Sequence, residues 1–474
     1  MISKIKSLSK DTLIYGTGTM VARFLNFLLV PFYTNFIPPA EYGVISNIFA
    51  YIAILNVFFS LGLESGFFRF SAFLEIGDKK ENFSIPFFTV AINSLLLSSI
   101  IFFIPGLFAP IFSVTEANFD LIKYTALILF FDAIVLVPFA NLRLNKKPLK
   151  FSIIKIINIV VNVLMNIILI VIFKFGIEAI LISNLVASVI TFIVLLPDII
   201  PNLKLKFNRE LFNEIIKFSL PYIPAGISAN IIQVINRPMM IYLTDESTTG
   251  IFTANYKLGI IMMIFVTMFD FAWRPFFLNN AKDPDAKKLF SKVTTLFVVA
   301  ASLICLVTSV FLNDIIMMFG ESYRTGQYIV PIILMAYLFN GLYINMMPGI
   351  YFKKKTKYLP YITGAAAIAN VIFNFLLIPK FNMIGAAVST LISYVIMAVS
   401  LYFVSQKFYK INYEISKILF LIISVSIFIS GFFILDMHNL FLKLLIIVIF
   451  VCLIFLVKIL RIENIKQIFV LSKR

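Results

Sequence analysis

The chain is poor in the residues from which most catalytic and metal sites are made. Its 474 residues include one histidine, His438, and two cysteines, Cys305 and Cys452. A single histidine builds neither a histidine-rich metal site nor a Ser/His/Asp triad. The cysteines sit inside separate apolar runs and behave as small hydrophobes, so no disulfide or metal centre is implied. No Gly-Lys-Ser/Thr loop is present to cradle nucleotide phosphates, which excludes ATP hydrolysis by this chain. With no catalytic set and no cofactor called for, the sequence reads as a non-enzyme.

Charge is also scarce. Charged residues make up 13% of the chain and hydrophobic residues 61%, with a mean hydropathy of +1.00. A soluble domain is about a quarter charged. The composition is therefore that of an all-α polytopic membrane protein. The net charge of +17 is spread singly between apolar stretches rather than gathered on one surface. It reads as a set of topology signals, and nucleic acid is excluded as a partner. The run behind the basic segment 1–10 is too long for a signal peptide and lacks a small-residue cleavage site, so a permanent first helix is expected.

About fourteen apolar stretches have the ~20-residue length that a crossing helix needs. They are 12–36, 43–68, 85–112, 120–143, 150–174, 177–197, 215–243, 249–273, 290–312, 326–351, 358–378, 383–406, 416–436 and 439–459. The longest polar connection, 197–213, carries Lys204, Lys206, Arg209 and Glu210 and is expected to lie on the surface. Every second connection is basic: Lys4, Lys6 and Lys10 first, then Lys79 and Lys80, Lys146 and Lys147, and so on to Arg461 and Lys466. The others hold Glu41, Glu116, Asp245, Asp314 and Asp436. By the positive-inside rule both termini are cytoplasmic.

An internal repeat runs through this pattern. Val30-Pro31…Gly43-Val44 aligns with Arg237-Pro238…Gly250-Ile251. Lys146-Lys147 and Asn162-Val163…Asn166 align with Lys354-Lys355 and Asn370-Val371…Asn374, at nearly the same offset. Six spans separate the copies, so they share one orientation, and two parallel six-helix bundles around a central cavity are expected. The division is 1–200, 201–410 and a remainder, 411–474, holding two extra helices and a tail.

The first span carries the leading functional feature. Thr12, Tyr15, Gly16, Thr19, Arg23 and Asn26 recur every three or four residues and share one helix face. Arg23 lies ~18 Å along the helix, near the bilayer centre, at a cost of at least ~2.5–3.5 kcal/mol unless it meets water, a partner or a ligand. Asp132, Arg237 and Lys257 also fall within spans. Three of the four are cations, which calls for an anionic ligand: Arg offers a bidentate fork to phosphate and Lys a point charge. Pairing between buried charges, such as Asp132 with a neighbouring base, is the alternative. Lys155 is expected to snorkel to the surface. Glu64, Arg69, Asp270 and Arg274 fall at helix ends, as ordinary interfacial charges or as gate contacts. Asn158, Asn162 and Asn166 form a stripe that suits either sugar hydroxyls or helix–helix hydrogen bonding, repeated by Asn370 and Asn374. Tyr15, Tyr222 and Gln233 are further lining candidates. The prolines around Pro221 and Pro224 open the second half as a hinge or a static kink.

The stretch Tyr15-Gly16-Thr17-Gly18-Thr19-Met20…Arg23-Phe24…Val30-Pro31-Phe32-Tyr33…Glu41-Tyr42-Gly43 resembles the N-terminal signature of polysaccharide exporters, the Wzx-type O-antigen flippases. Phe218-Ser219-Leu220-Pro221, Tyr256-Lys257-Leu258-Gly259 and Trp273-Arg274-Pro275-Phe276 resemble that family's central motifs. The resemblance covers the first twelve spans. It implies two six-helix halves, as in the MATE drug exporters and lipid II flippases, and outward movement of an undecaprenyl-pyrophosphate-linked oligosaccharide (an O-antigen or capsule repeat unit) by alternating access. It places Arg23 where lipid II flippases direct arginines of the first helix toward a cavity for the pyrophosphate. Arg237 and Lys257 match no motif of assigned role. Membrane lipids are implied partners, and the resemblance leaves room for a polysaccharide polymerase and a chain-length regulator. Asp132 is the candidate carrier for a coupling ion. The alternatives are a MATE-like cation-coupled drug exporter, which would want acidic residues in its cavity, and a membrane scaffold for glycan-assembly enzymes, which the short loops disfavour.

Overall fold

A computed structural model of the chain describes residues 24–457 and 459, apart from 354 and 436–438. Among the described residues the regular elements are all helical. Eleven helices are long and apolar enough to cross a membrane, flanked by two shorter apolar ones. In chain order they are α1 (Phe24–Phe36, short), α2 (Pro39–Phe73), α3 (Lys79–Phe103), α4 (Glu116–Leu144), α5 (Pro148–Ile172), α6 (Glu178–Asn202), α7 (Arg209–Val234), α8 (Glu246–Asn279), α9 (Ala286–Val310), α10 (Glu321–Phe352), α11 (Tyr358–Phe408), α12 (Ile415–Ile434) and α13 (Leu440–Leu456, short). Helix is the only open-ended segment whose backbone groups are all satisfied internally in hydrocarbon. Rows of exposed apolar side chains, such as Ile92, Leu95, Leu96 and Phe103 on α3, are what lipid-facing surfaces require.

Among the described residues eleven helices are long enough to cross, against about fourteen expected spans. The 51-residue α11 covers two expected spans and bends at Asn382, whose φ of 51° and ψ of −128° are not helical. The expected spans 12–36 and 439–459 lie partly outside the described residues, and α1 and α13 cover the parts that are described. The expected span 85–112 is also corrected. α3 ends at Phe103, Ile104 leaves the helical region, and a separate helix, Pro105–Phe112, follows. A proline disfavours helical geometry in the residue before it. The expected 197–213 connection shrinks, because α6 continues through Pro197 to Asn202 and leaves Leu203–Asn208 as the non-helical link.

Caps fix the helix starts near the polar connections. Asp78 accepts from Glu81 N at 2.9 Å, Asn208 from Leu211 N at 3.2 Å and Asp245 from Thr248 N at 2.8 Å. Each side chain satisfies a first-turn donor that the helix cannot, and Glu81, Glu210 and Glu246 add negative charge at the positive end of the dipole.

The helices pack as two compact units. One contains the described residues up to Lys257 with Phe319–Gly326 and Thr363–Thr390. There α2 makes its largest contact with the Glu246–Tyr256 start of α8, α3 packs on α4, and α5 packs on α6. The other contains Leu258–Met318, Gln327–Ile362 and the described residues from Leu391 onward. There α9 packs on α12 and α10, and α10 also packs on the Ile260–Asn279 part of α8.

Candidate substrate-binding site

Two glycines bring α2 and the start of α8 backbone to backbone. A Cβ on Gly43 would overlap the Glu246 carbonyl, and a Cβ on Gly250 would overlap the Pro39 carbonyl. Only glycine lets the two backbones meet this way. The contact aligns α2 with the start of α8 and sets Tyr42 near Lys257.

Lys257 donates from Nζ to the Tyr42 hydroxyl at 3.0 Å and lies 5.5 Å from the centre of that ring. Tyr42 packs edge-on against Tyr323 at 5.9 Å and lies 6.1 Å from Tyr33. Tyr323 donates its hydroxyl to the Ile37 carbonyl at 2.7 Å, and Gly320 N donates to Thr34 Oγ1 at 3.2 Å. These two bonds fasten the Phe319–Gly326 segment to the end of α1. Arg237, on the Asn236–Leu243 helix that continues α7, holds its guanidinium 5.4 Å from the Tyr256 ring and donates to the Gln233 carbonyl at 3.3 Å. The four tyrosines are buried, while the two cations are half-buried. Among the described residues, no carboxylate forms an ion pair with Arg237 or Lys257. The result is a pair of cations held by aromatic faces and still available to an anion.

Of the residues named from the sequence, Arg237 lies beside Tyr256, and Lys257, the residue after Tyr256 in the chain, lies beside Tyr42. Arg23 and Tyr15 lie outside the described residues. Asn26 is exposed on α1. Asn158 and Asn162 belong to a different contact. Asn158 donates to Thr191 Oγ1 at 2.8 Å, joining α5 to α6, and Asn162 accepts from Asn166 Nδ2 at both its backbone and side-chain oxygens, at 2.8 and 3.2 Å. Asp132 accepts from Ser188 Oγ at 2.6 Å, joining α4 to α6, and Lys155 is its interacting cation. Lys155 Nζ itself lies 4.3 Å from the centre of the Phe139 ring. Tyr222 packs on Phe218 and is exposed. Glu64 pairs with Arg143, tying α2 to α4, and Asp270 pairs with Arg274 one turn away at 2.8 Å.

Tyr33, Tyr42, Tyr256 and Tyr323 escaped the reading of the sequence. A signal existed for one of them, since Tyr42 precedes the glycine that anchors the repeat. Asn236 was also missed. It donates to Thr390 Oγ1 at 2.6 Å and accepts from Asn374 at 2.9 Å, within a buried network that includes Asn370.

The sequence profile described as polysaccharide biosynthesis protein matches residues 34–269, a stretch that includes Tyr42, Arg237 and Lys257. The chain belongs to this family. The family member is 26% identical over 218 residues to capsular polysaccharide biosynthesis protein CapF of Staphylococcus aureus, covering 44% of the chain and 53% of that relative. The chain thus spans about half the length of that protein. It is 23% identical over 428 residues to an uncharacterised membrane protein of Methanocaldococcus jannaschii, covering 83% of the chain and 82% of the relative. Its fold is similar to that of the lipid II flippase MurJ in an inward closed conformation, with a TM-score of 0.70 at 16% identity over 94% of the chain and 99% of MurJ. It is also similar to an inward-facing multidrug resistance MATE family transporter, with a TM-score of 0.59 at 15% identity over 82% and 97%. The polysaccharide biosynthesis family member is thus a multi-pass membrane protein with a MurJ- and MATE-like fold.

Proposed function

We propose that this protein is a flippase that carries an undecaprenyl-pyrophosphate-linked oligosaccharide, an O-antigen or capsule repeat unit, from the inner to the outer leaflet of the plasma membrane. The observation that carries this reading is the pairing of Lys257 with Tyr42 and of Arg237 with Tyr256, with no carboxylate ion-paired to either cation among the described residues. Cations at membrane depth call for an anionic ligand, and tyrosine rings beside them offer flat faces and hydroxyls to a sugar. The pyrophosphate pairs with Arg23, assisted by Arg237 and Lys257, while the prenyl tail stays in lipid. Two parallel six-helix bundles then alternate access to the cavity, and both termini stay cytoplasmic. An inside-negative potential favours outward movement of the anion by ~2.3 kcal/mol per charge per 100 mV, which suffices for the charged head without a further ion. If an ion is coupled, Asp132 beside Ser188 is its carrier. The family's capsule relative and the fold similar to that of a lipid II flippase support a flippase of this kind. The drug-exporter reading shares the MATE-like fold, but it would want acidic residues in the cavity, and the candidate residues beside Tyr42 and Tyr256 are basic.

The test is complementation of a cell lacking its own flippase. The wild-type chain restores surface polysaccharide, and Arg23→Ala does not. Full surface polysaccharide from Arg23→Ala would refute the pyrophosphate site.

A further inference from the structure

A groove of about 660 Å³ runs along the first unit, away from the tyrosine cluster. One wall is a single face of α3, along which Ser84, Phe88, Ile92 and Leu96 step by four. The other wall is the linker from Lys204 to Phe207 with Phe212 and Ile216 on the following helix. The linker wall is held in place. Lys204 donates its backbone N–H to Ser84 Oγ at 2.7 Å, and its ammonium pairs with Asp78 and with Glu81, the latter at 2.8 Å. Two apolar side chains of this non-helical link are left uncovered by protein: Leu205 is 93% exposed and Phe207 68% exposed.

The groove is apolar along its length and cationic at one end. Lys206 extends there with its side chain 71% exposed, 3.7 Å from Glu81. Lys79 and Lys80 open the same helix, and Arg209 closes the linker. Twelve residues of helix separate Ser84 from Leu96, giving a strip ~18 Å long. One leaflet of hydrocarbon is ~15 Å thick, half the ~30 Å core. The volume falls within the ~300–1,000 Å³ of ordinary ligand pockets. Basic pockets between helices on the cytoplasmic side are the usual sites of anionic headgroups.

We propose that this groove binds one hydrocarbon chain of an anionic glycerophospholipid, with the phosphate on Lys206 and the chain lying between α3 and the linker. The bound lipid clamps the linker that joins the two sequence repeats. This site is separate from the transport site and does not depend on what is transported.

Native mass spectrometry of the full chain, stripped in detergent and titrated with phosphatidylglycerol or phosphatidylcholine, tests it. The expected result is one tightly retained phosphatidylglycerol, weaker retention of phosphatidylcholine, and an affinity for phosphatidylglycerol lowered about fivefold in Lys206→Gln, as expected for one surface cation. Ile92→Trp, which fills the groove, abolishes the retained molecule. If Ile92→Trp does not fold, Lys206→Gln decides alone. Equal retention of the two lipids, or wild-type retention by Lys206→Gln, would mean annular lipid only and would overturn the proposal.

Discussion

Gly43 and Gly250 stand 207 residues apart in the sequence and meet backbone to backbone, each where a Cβ would strike the other segment's carbonyl. The clash is reciprocal. Gly43 faces Glu246, and Gly250 faces Pro39, the same offset seen from the other side. The sequence repeat therefore has a physical counterpart, in which matching helices pack on each other through matching glycines.

Replacing either glycine with alanine should be costly, because the clashing atoms are main-chain carbonyls that cannot rotate away. Gly43→Ala and Gly250→Ala are each expected to lose about 1–3 kcal/mol, the usual range for overpacking. Gly431→Ala is the control, since nothing lies within 4 Å of its added Cβ. Thermal unfolding in detergent should rank both glycine variants well below the control. A Gly43→Ala protein as stable as Gly431→Ala would show that the segments do not touch.

The second repeated element is an asparagine pair. Asn166 donates to the Asn162 carbonyl at 2.8 Å, and Asn374 donates to the Asn370 carbonyl at 2.9 Å. The stripe was legible in the sequence, and so was its recurrence. Its use was not, because an amide serves a sugar or a neighbouring helix with the same two groups. Asn236→Ala removes one acceptor of Asn374 and the donor to Thr390 in a buried place and is expected to lose about 1–3 kcal/mol. Stability unchanged in the same unfolding assay would show that the network bears no strain when broken.

The span pattern was legible because twenty-residue apolar runs and alternating basic loops are written directly in composition. Helix ends were less so. Nothing in the apolar run 85–112 announces that Ile104 breaks it, except the Pro105 that follows. The tyrosine cluster was hidden for another reason. Tyr323 is far from Tyr33 and Tyr42 in the chain and is brought to them by its bond to Ile37, while Tyr256 lies beside Arg237. Arg237 and Lys257 were found because a charge in an apolar span is conspicuous.

The linker tie should depend on pH at both extremes. The hydrogen bond from Lys204 holds the Asp78 carboxyl below its ordinary value, and the same bond holds the Lys204 ammonium above its own. A lowered carboxyl gives a contribution that is present above the ordinary value, near pH ~4, and lost as pH falls through the depressed one. A raised ammonium gives a contribution that is present below ~10.4 and lost as pH climbs through the raised value. The tie is thus complete at neutral pH. Asp78→Asn should speed tryptic cleavage after Lys204 and Lys206 roughly two- to fivefold at pH 8, the scale of an exposed ion pair. Identical cleavage rates would show that Asp78 does not hold the linker.

Tyr42→Phe and Lys257→Ala separate the hydroxyl from the charge. Tyr42→Phe keeps the ring beside Tyr323 and removes only the acceptor for Lys257. It should retain most surface-polysaccharide export in the complementation assay. Lys257→Ala removes the cation and should lower export at least about tenfold, the cost of one charge-assisted hydrogen bond. Lys257→Arg should recover part of it. Equal export by Lys257→Ala and wild type would remove Lys257 from the site.

The most direct measurement is leaflet exchange of a fluorescent undecaprenyl-pyrophosphate oligosaccharide in proteoliposomes. Wild-type protein is predicted to expose the inner-leaflet pool to an external quencher, and the triple variant Arg23→Ala, Arg237→Ala, Lys257→Ala to leave it protected while still folding and inserting. Exchange by the triple variant at the wild-type rate would contradict a cationic site for the pyrophosphate.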